Sequence, residues 1–248
     1  MGETDAGRKI YRITGADREH FLQGLVTNNV RELRAITYSA LLTPQGKYIA
    51  DFFLVPDGES ILLDVAGDLG PGLVKRLNMY KLRADVALEE TDLYAIRGID
   101  TPPPAGAFMD PRHPALGWRL YSETPGTPPE IDWDAIRVSH AIPETGRELT
   151  PDSYILEAGF ERLHGVDFRK GCYVGQEVTA RMKHKTELRK GLATVRVEGQ
   201  APMGTQILAD GKPAGVLYTQ SGGRGIAHLR FDRAEKEMRA GEARISLI

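Results

Sequence analysis

The clearest pattern of apolar and polar positions lies between residues 37 and 65, where three apolar runs are separated by turn-forming residues. Pro44-Gln45-Gly46 divides the first run from the second, and Pro56-Asp57-Gly58 divides the second from the third. Short apolar runs joined by such turns predict an antiparallel meander. A further strand is predicted over residues 10–14, and a strand pair over residues 84–98.

Three segments have a helical period instead. Phe21, Leu22 and Leu25 share one face of the first, while Leu73 and Leu77 share one face of the second. The third segment begins at Trp133 and ends before Pro143, because a residue that precedes a proline disfavours the helical conformation. The first predicted helix begins after Asp17, a residue that suits the N-cap position. The second covers residues 69–82 and the third residues 133–140.

From Thr101 to Glu130 the chain changes character, since eight of its fifteen prolines fall there. Proline lacks a backbone donor and has a fixed φ, so we predict an irregular, partly extended linker. Beyond Leu188 the pattern is all-β, and Asp210-Gly211 between two strand-like runs is typical of a hairpin. We therefore place a domain boundary near residue 187 and predict a small barrel or sandwich after it.

Composition sets limits on the class of protein. The chain has 248 residues, 41% of them hydrophobic and 27% charged, which is ordinary for a soluble globular protein of one or two domains. The net charge of -2 gives no whole-chain argument for nucleic acid or membrane. A single cysteine excludes an intramolecular disulfide and favours a reducing compartment. Without a long apolar run or a signal peptide, we expect a cytosolic protein.

One region is strongly basic. Between Arg169 and Lys190 there are seven Lys or Arg residues, including Lys185, against two acids, Glu177 and Glu187. Such a focus of charge could attract a polyanionic ligand, and a solvated surface explains it equally well.

The same region contains Cys172 in the sequence RKGCYVGQE, where no apolar repeat of either period explains the composition. Glycines on both sides let the backbone approach a ligand closely, and the nearby cations favour a thiolate. A thiolate could attack an electrophile, exchange with another thiol or lend one ligand to an iron–sulfur cluster. The alternative is a small buried hydrophobe, since free cysteine is often buried.

With its neighbours, KGCYVGQE (170–177) resembles the YgfZ-like folate-binding proteins of the GcvT (glycine-cleavage aminomethyltransferase) superfamily. Further motifs of that family follow the same order as here. They are FLQGLVTNNV (21–30), LTPQGKYIADFFL (42–54), IPETGRELTPD (142–152) and GKPAGVLYTQSGGRGIAHLR (211–230).

The resemblance implies an α+β fold of the GcvT type, with two interleaved α+β subdomains followed by a C-terminal antiparallel β-barrel. Residues 1–187 would form the folate-binding region and residues 188–248 the barrel. Within the first region, subdomain A would hold about 1–48 plus 130–187, and subdomain B about 49–129.

It also implies a function. Tetrahydrofolate, or a one-carbon-substituted folate, would be the cofactor, and iron–sulfur assembly or client proteins would be the partners. The protein would support maturation or repair of iron–sulfur proteins, and indirectly tRNA modification. With one cysteine it cannot hold a four-thiolate cluster by itself.

The resemblance also implies which individual residues carry out chemistry or bind folate. Cys172, Lys170 and Asp51 are the candidates for chemistry, although the aminomethyltransferases carry adjacent aspartates where this chain has Ala50-Asp51. Glu157, in LEAG, would accept paired N–H bonds from the pterin edge. The other candidates for binding folate are Trp133, Asn28, Tyr173, Gln176, Glu177 and Arg181. Each has an ordinary alternative, such as core packing for Trp133, a surface ion pair for Glu157 or the end of a helix for Asn28.

Other functions stay open. A true one-carbon transferase, moving an aminomethyl or methyl group to tetrahydrofolate, is the alternative, so enzymatic activity is undecided and we lean against it. RNA binding is the least favoured, because the barrel segment offers only Tyr218 and Phe231 for stacking bases. The six histidines show no metal-binding spacing, and we expect neither a metal nor a membrane partner.

Overall fold

The computed structural model describes residues 2–184, 188–234 and 237–248, which form fifteen strands and four α-helices. By its internal packing the chain divides into two compact units, each made of two stretches. One unit is Met1–Glu130 with Glu161–Gln176, and the other is Ile131–Phe160 with Glu177–Ile248. The subdomain bounds expected from sequence stay a prediction, and the predicted boundary near residue 187 lies outside the described residues.

The first unit contains two antiparallel sheets and two helices. In chain order its elements are β1 (Glu3–Thr4), β2 (Arg8–Thr14), α1 (Arg18–Gln23), β3 (Thr37–Leu42), β4 (Tyr48–Asp57), β5 (Ser60–Ala66), α2 (Gly70–Lys81), β6 (Ala87–Glu90), β7 (Tyr94–Gly98), β8 (Phe108–Met109) and β9 (Trp118–Ser122).

The larger sheet has the order β3-β4-β5-β2-β6. Its first three strands are the predicted meander, which is confirmed. Alternate side chains of β4, namely Ala50, Phe52 and Leu54, belong to a core that also contains Leu22 of α1 and Leu73 of α2. Each large apolar side chain buried there stabilises the fold by about 1.5–3 kcal/mol.

The predicted helices are present. Asp17 stands at the N-cap of α1, but its carboxylate accepts from the Asp85 backbone N–H at 2.8 Å and does not cap the helix. The helical period of Leu73 and Leu77 is confirmed, since both are buried on one face of α2.

The smaller sheet, of order β1-β7-β9-β8, corrects two predictions. The strands within 84–98 do not pair with each other, because β6 pairs with β2 and β7 pairs with β1 and β9. The segment 101–130 is not all linker, since β9 lies inside this sheet with Trp118 and Arg119 buried. Its prolines flank the strands and leave every ladder position free to donate.

A buried ion network lies on the other face of the larger sheet. The Asp64 side chain is fully buried; its Oδ1 accepts from Arg8 Nε at 2.6 Å and its Oδ2 from Arg119 Nη2 at 2.9 Å. Tyr121 Oη donates to Oδ2 at 2.8 Å, and the Arg119 guanidinium lies 4.4 Å from the centre of the Phe53 ring. A buried carboxylate requires such partners, which explains one acid in the apolar run SILLDVA.

The second unit combines two helices with a closed barrel. Its elements are α3 (Trp133–Ser139), α4 (Gln176–His184, of which Gln176 belongs to the first unit), β10 (Lys190–Glu198), β11 (Gln206–Ala209), β12 (Lys212–Ser221), β13 (Arg224–Arg230), β14 (Met238–Ala240) and β15 (Ala243–Leu247).

The barrel has the strand order β10-β13-β12-β11-β14-β15. Alternate residues such as Val195, Ile207 and Ile245 fill its interior, which is the period of two that the sequence indicates. Asp210 and Gly211 have φ of 48° and 73° and form the two-residue turn between β11 and β12, so the predicted hairpin is confirmed.

The motif IPETGRELTPD is held against this barrel. The Glu148 side chain is fully buried, and its Oε1 accepts from Thr219 Oγ1 of β12 at 2.6 Å. Its Oε2 accepts from Arg137 Nη1 of α3 at 3.2 Å. Glu148 of this motif therefore links α3 to β12 within this unit.

Candidate functional site

Cys172 follows a segment that the motif FLQGLVTNNV holds in place. Thr27 Oγ1 donates to the Gly165 carbonyl at 2.7 Å, and Asn28 Nδ2 donates to the His164 carbonyl at 2.6 Å. Gln23 Nε2 donates to the Lys170 carbonyl at 3.1 Å. The motifs FLQGLVTNNV and KGCYVGQE, which are far apart in sequence, are thus joined by a hydrogen bond between Gln23 and Lys170.

The residues after Cys172 are fixed as well. Tyr173 is buried, and Val174 packs against the hydrophobic core of the same unit. Gly175 has a φ of 84°, and a Cβ there would lie 2.6 Å from the Thr43 carbonyl oxygen, so only glycine fits. Cys172 itself is exposed. The loop therefore holds its thiol toward solvent between two anchored ends.

Lys170 acts as one of these anchors. Its Nζ donates to the Val26 carbonyl and lies 5.3 Å from the centre of the Tyr173 ring. Burial disfavours the ammonium form and lowers the pKa of Lys170 to about 8, although Asp167 opposes the change. Near pH 8 about half of these amines are neutral, which weakens Lys170 as a charge partner for a thiolate.

Asp51 is buried and held by two phenols. Tyr38 Oη donates to Oδ2 at 2.9 Å and Tyr48 Oη donates to Oδ1 at 2.6 Å. Burial, and then the charge of Asp51, raise the pKa of Tyr38 well above its usual value, so this phenol stays a donor. Each oxygen of the Asp51 side chain therefore accepts a hydrogen bond from a phenol within the protein.

Asn28 also uses its side chain within the protein. Its Nδ2 donates to the Tyr38 carbonyl at 2.9 Å as well as to His164, and its Oδ1 accepts from the Asn29 N–H at 2.8 Å. Both amide hydrogens are therefore committed to backbone carbonyls.

Glu157 lies in a pocket of the second unit with a volume of about 180 Å³. Its Oε2 is 3.0 Å from His228 Nε2, and its backbone carbonyl accepts from the Leu192 N–H at 2.8 Å. Asp152 and Tyr218 line the same pocket. The volume is below the roughly 300 Å³ of a drug-sized site, so it suits a ring rather than a whole folate.

The pocket favours N–H donors over anions. Its lining among the described residues includes Asp152 and Glu157, together with Glu148, whose carboxylate is paired with Arg137, and no lysine or arginine. Burial, and then the charge of Glu148, raise the pKa of Tyr218, which keeps this phenol protonated. Acceptors and a phenolic donor together match the amino and oxo groups of a pterin ring.

The remaining predicted residues lie elsewhere. Trp133 is buried at the start of α3 and is outside the lining of the Glu157 pocket. Gln176 begins α4, where Glu177 and Arg181 are exposed one turn apart. Lys185 and Glu187 of the basic cluster lie outside the described residues.

Sequence reasoning missed the partners of these residues. Gln23 and Thr27 had no signal beyond their place in a motif, and His228 was considered only as a metal ligand. Over the described stretches, no three His, Cys, Asp or Glu side chains are grouped to hold a metal ion.

The fold defines the class of protein. The chain superposes on glycine cleavage system aminomethyltransferase T from Bartonella henselae with a TM-score of 0.76, covering 98% of this chain and 82% of that one. Because only 12% of residues are identical, the likeness shows the fold alone. Residues 189–248 match the CAF17 C-terminal beta-barrel domain. The predicted GcvT-type fold with a C-terminal barrel is confirmed.

Sequence similarity then gives the family. The chain is 31% identical over 275 residues to the mitochondrial iron-sulfur cluster assembly factor IBA57 of Mus musculus, covering 91% of this chain and 76% of that protein. It is 34% identical over 244 residues to the mitochondrial homologue of Neurospora crassa, covering 82% of this chain. The chain spans 55% of that fungal relative's length. It belongs to the IBA57 family.

These relatives overturn the predicted cytosolic location. Those of Mus musculus, Homo sapiens and Neurospora crassa are all named as mitochondrial proteins, so the prediction is wrong. The prediction rested on a single cysteine, which suits any reducing compartment, and on the lack of a long apolar run or a secretory signal peptide, which does not distinguish the cytosol from a mitochondrion. Of the helices in the described residues, none has the length and apolar character needed to cross a bilayer.

Proposed function

We propose that the protein supports the maturation of iron–sulfur proteins by presenting Cys172 as a ligand to a cluster that it shares with a partner protein. The observation that carries the proposal is the exposed thiol on a loop anchored at Lys170 and at Gly175. The names of the relatives, iron-sulfur cluster assembly factors, support it.

Coordination chemistry requires the partner. A cluster of the [2Fe–2S] or [4Fe–4S] type takes about four thiolate ligands, and this chain has one cysteine. Cys172 would supply one sulfur, with its proton released to solvent on binding, and the partner would supply the rest. The fixed loop lowers the entropy lost when the thiol is immobilised at the cluster.

The test compares Cys172→Ser with the unchanged protein in a reconstituted system containing a cluster scaffold and an apo client enzyme. Met203→Ala is the matched control, because it removes a sulfur-containing side chain that is 56% exposed in the barrel unit. We expect the serine variant to lose client activation and the control to keep it. Full activation by Cys172→Ser would refute the role of the thiol.

We also propose that the protein binds tetrahydrofolate, or a one-carbon-substituted folate, with the pterin ring against Glu157. The residues fit this ligand, since a carboxylate can accept paired N–H bonds and the pocket has the volume of a ring. A bound folate would supply one-carbon chemistry. The glutamate tail would lie outside this acidic pocket, because carboxylates repel each other.

Anaerobic calorimetry with tetrahydrofolate tests this second proposal. One-to-one binding that weakens at least tenfold in Glu157→Gln is expected. If the variant binds tetrahydrofolate with equal affinity, the pterin does not bind against Glu157. Asp51, the candidate for chemistry in the transferase alternative, is buried, and each of its oxygens accepts from a phenol.

A further inference from the structure

We infer that His228 is a positioning residue for Glu157 and thereby determines how tightly the pocket holds the N–H edge of its ligand. The inference rests on the proposed folate binding and adds to it a residue that acts on the ligand through another side chain. It follows from the place of His228 in the barrel and from the two points at which Glu157 is held.

The first step is the direction of the His228 side chain. Its neighbours along β13, Ala227 and Leu229, belong to the barrel interior. Since side chains alternate along a strand, His228 faces outward, where its cross-strand neighbours are Leu192 of β10 and Val216 of β12. The sheet thus provides one wall of the pocket that contains Glu157.

The second step is that Glu157 is attached to two adjacent strands. Its carbonyl accepts from the Leu192 N–H at 2.8 Å, which fixes the backbone to β10. Its Oε2 is 3.0 Å from His228 Nε2, which fixes the side chain to β13. A glutamate otherwise rotates about three bonds, so this contact selects one orientation before a ligand arrives.

The third step concerns the lone pairs that remain. An Nε2–H of His228 uses one lone pair of Oε2 and leaves Oε1 for the ligand, together with the second lone pair of Oε2. Glu157 can then accept the two parallel N–H bonds that an aminopyrimidinone edge offers.

The experiment measures affinities by anaerobic calorimetry in three variants, His228→Leu, His228→Gln and Glu157→Gln. The probes are tetrahydrofolate and 6-methyltetrahydropterin, which has the ring without the tail. We expect His228→Leu to bind both probes about tenfold more weakly, a typical effect of losing an orienting group. Because glutamine keeps an N–H donor, His228→Gln should recover most of the loss.

A second measurement separates positioning from folding. The His228 and Glu157 side chains are 31% and 21% exposed, so the substitutions should leave the melting temperature unchanged. Nitrogen NMR of the unchanged protein should show the imidazole as its Nε2–H tautomer, and this signature should change in Glu157→Gln.

The outcomes distinguish the two ideas. If Glu157→Gln loses affinity while His228→Leu matches the unchanged protein, the inference about His228 is wrong and folate binding stands. If His228→Leu and His228→Gln are equally weak, the hydrogen bond is not what matters, and the inference is overturned again. If the unchanged protein binds neither probe, or if Glu157→Gln binds the probes as tightly as the unchanged protein, the proposed pterin site is wrong. The inference about His228 is then wrong as well.

Discussion

Replacing Lys170 by methionine tests the central anchor of the cysteine loop. Burial lowers the pKa of Lys170 from its usual 10.5 to about 8 in the folded chain. Below pH 8 both the folded and the unfolded chain carry the proton, and the folded chain retains the full penalty for a buried charge. As the pH rises above 8, the folded chain releases the proton first, so the stability of the unchanged protein increases up to the pKa of the unfolded chain.

The magnitude follows from these two pKa values. Between about pH 7 and pH 9.5, linkage gives a rise of about 2 kcal/mol in the free energy of unfolding, which partial exposure of the amine reduces to about 1 kcal/mol. The upper limit stays below about pH 10, where the tyrosines of the unfolded chain ionise.

The assay is urea unfolding at several pH values for the unchanged protein, Lys170→Met and the control Lys75→Met, which changes an exposed lysine of α2. The rise with pH should appear in the unchanged protein and in the control and be absent from Lys170→Met. Loss of the bond to Val26 lowers stability equally at every pH, so it does not imitate this result. Parallel curves for all three proteins would refute the buried-amine argument.

Three further predictions concern stability. Gly175→Ala should destabilise the protein by about 3 kcal/mol or more in urea unfolding, and Gly171→Ala by about 1 kcal/mol. Both glycines have positive φ, but only at Gly175 would the added Cβ collide with backbone atoms, so equal losses would contradict this. Asp64→Asn should cost about 3–5 kcal/mol and the surface change Asp57→Asn less than about 1 kcal/mol, and similar values would refute a structural role for the buried network. Cys172→Ser should stay within about 0.5 kcal/mol by thermal melting, whereas a large loss would mean that the thiol packs against the fold.

The candidate site could be predicted only in part. The motif around Cys172 marks the loop, but its anchors, such as Gln23 and Thr27, come from a segment more than a hundred residues earlier. The pairing of Glu157 with His228 likewise joins residues 71 positions apart. No local pattern encodes such a distance, because it depends on how strands pair across the whole chain.

The sequence alone determined the features that depend on neighbouring residues. Short apolar runs and turn residues were enough for the meander of β3, β4 and β5, and Asp210-Gly211 was enough for the hairpin, since both form between adjacent segments. Only the tertiary structure decided which sheet each remaining strand would join. It separated β6 from β7 and placed β9, from a proline-rich stretch, inside a sheet, because long-range pairing and the partnering of buried charges such as Asp64 overrode the local signals.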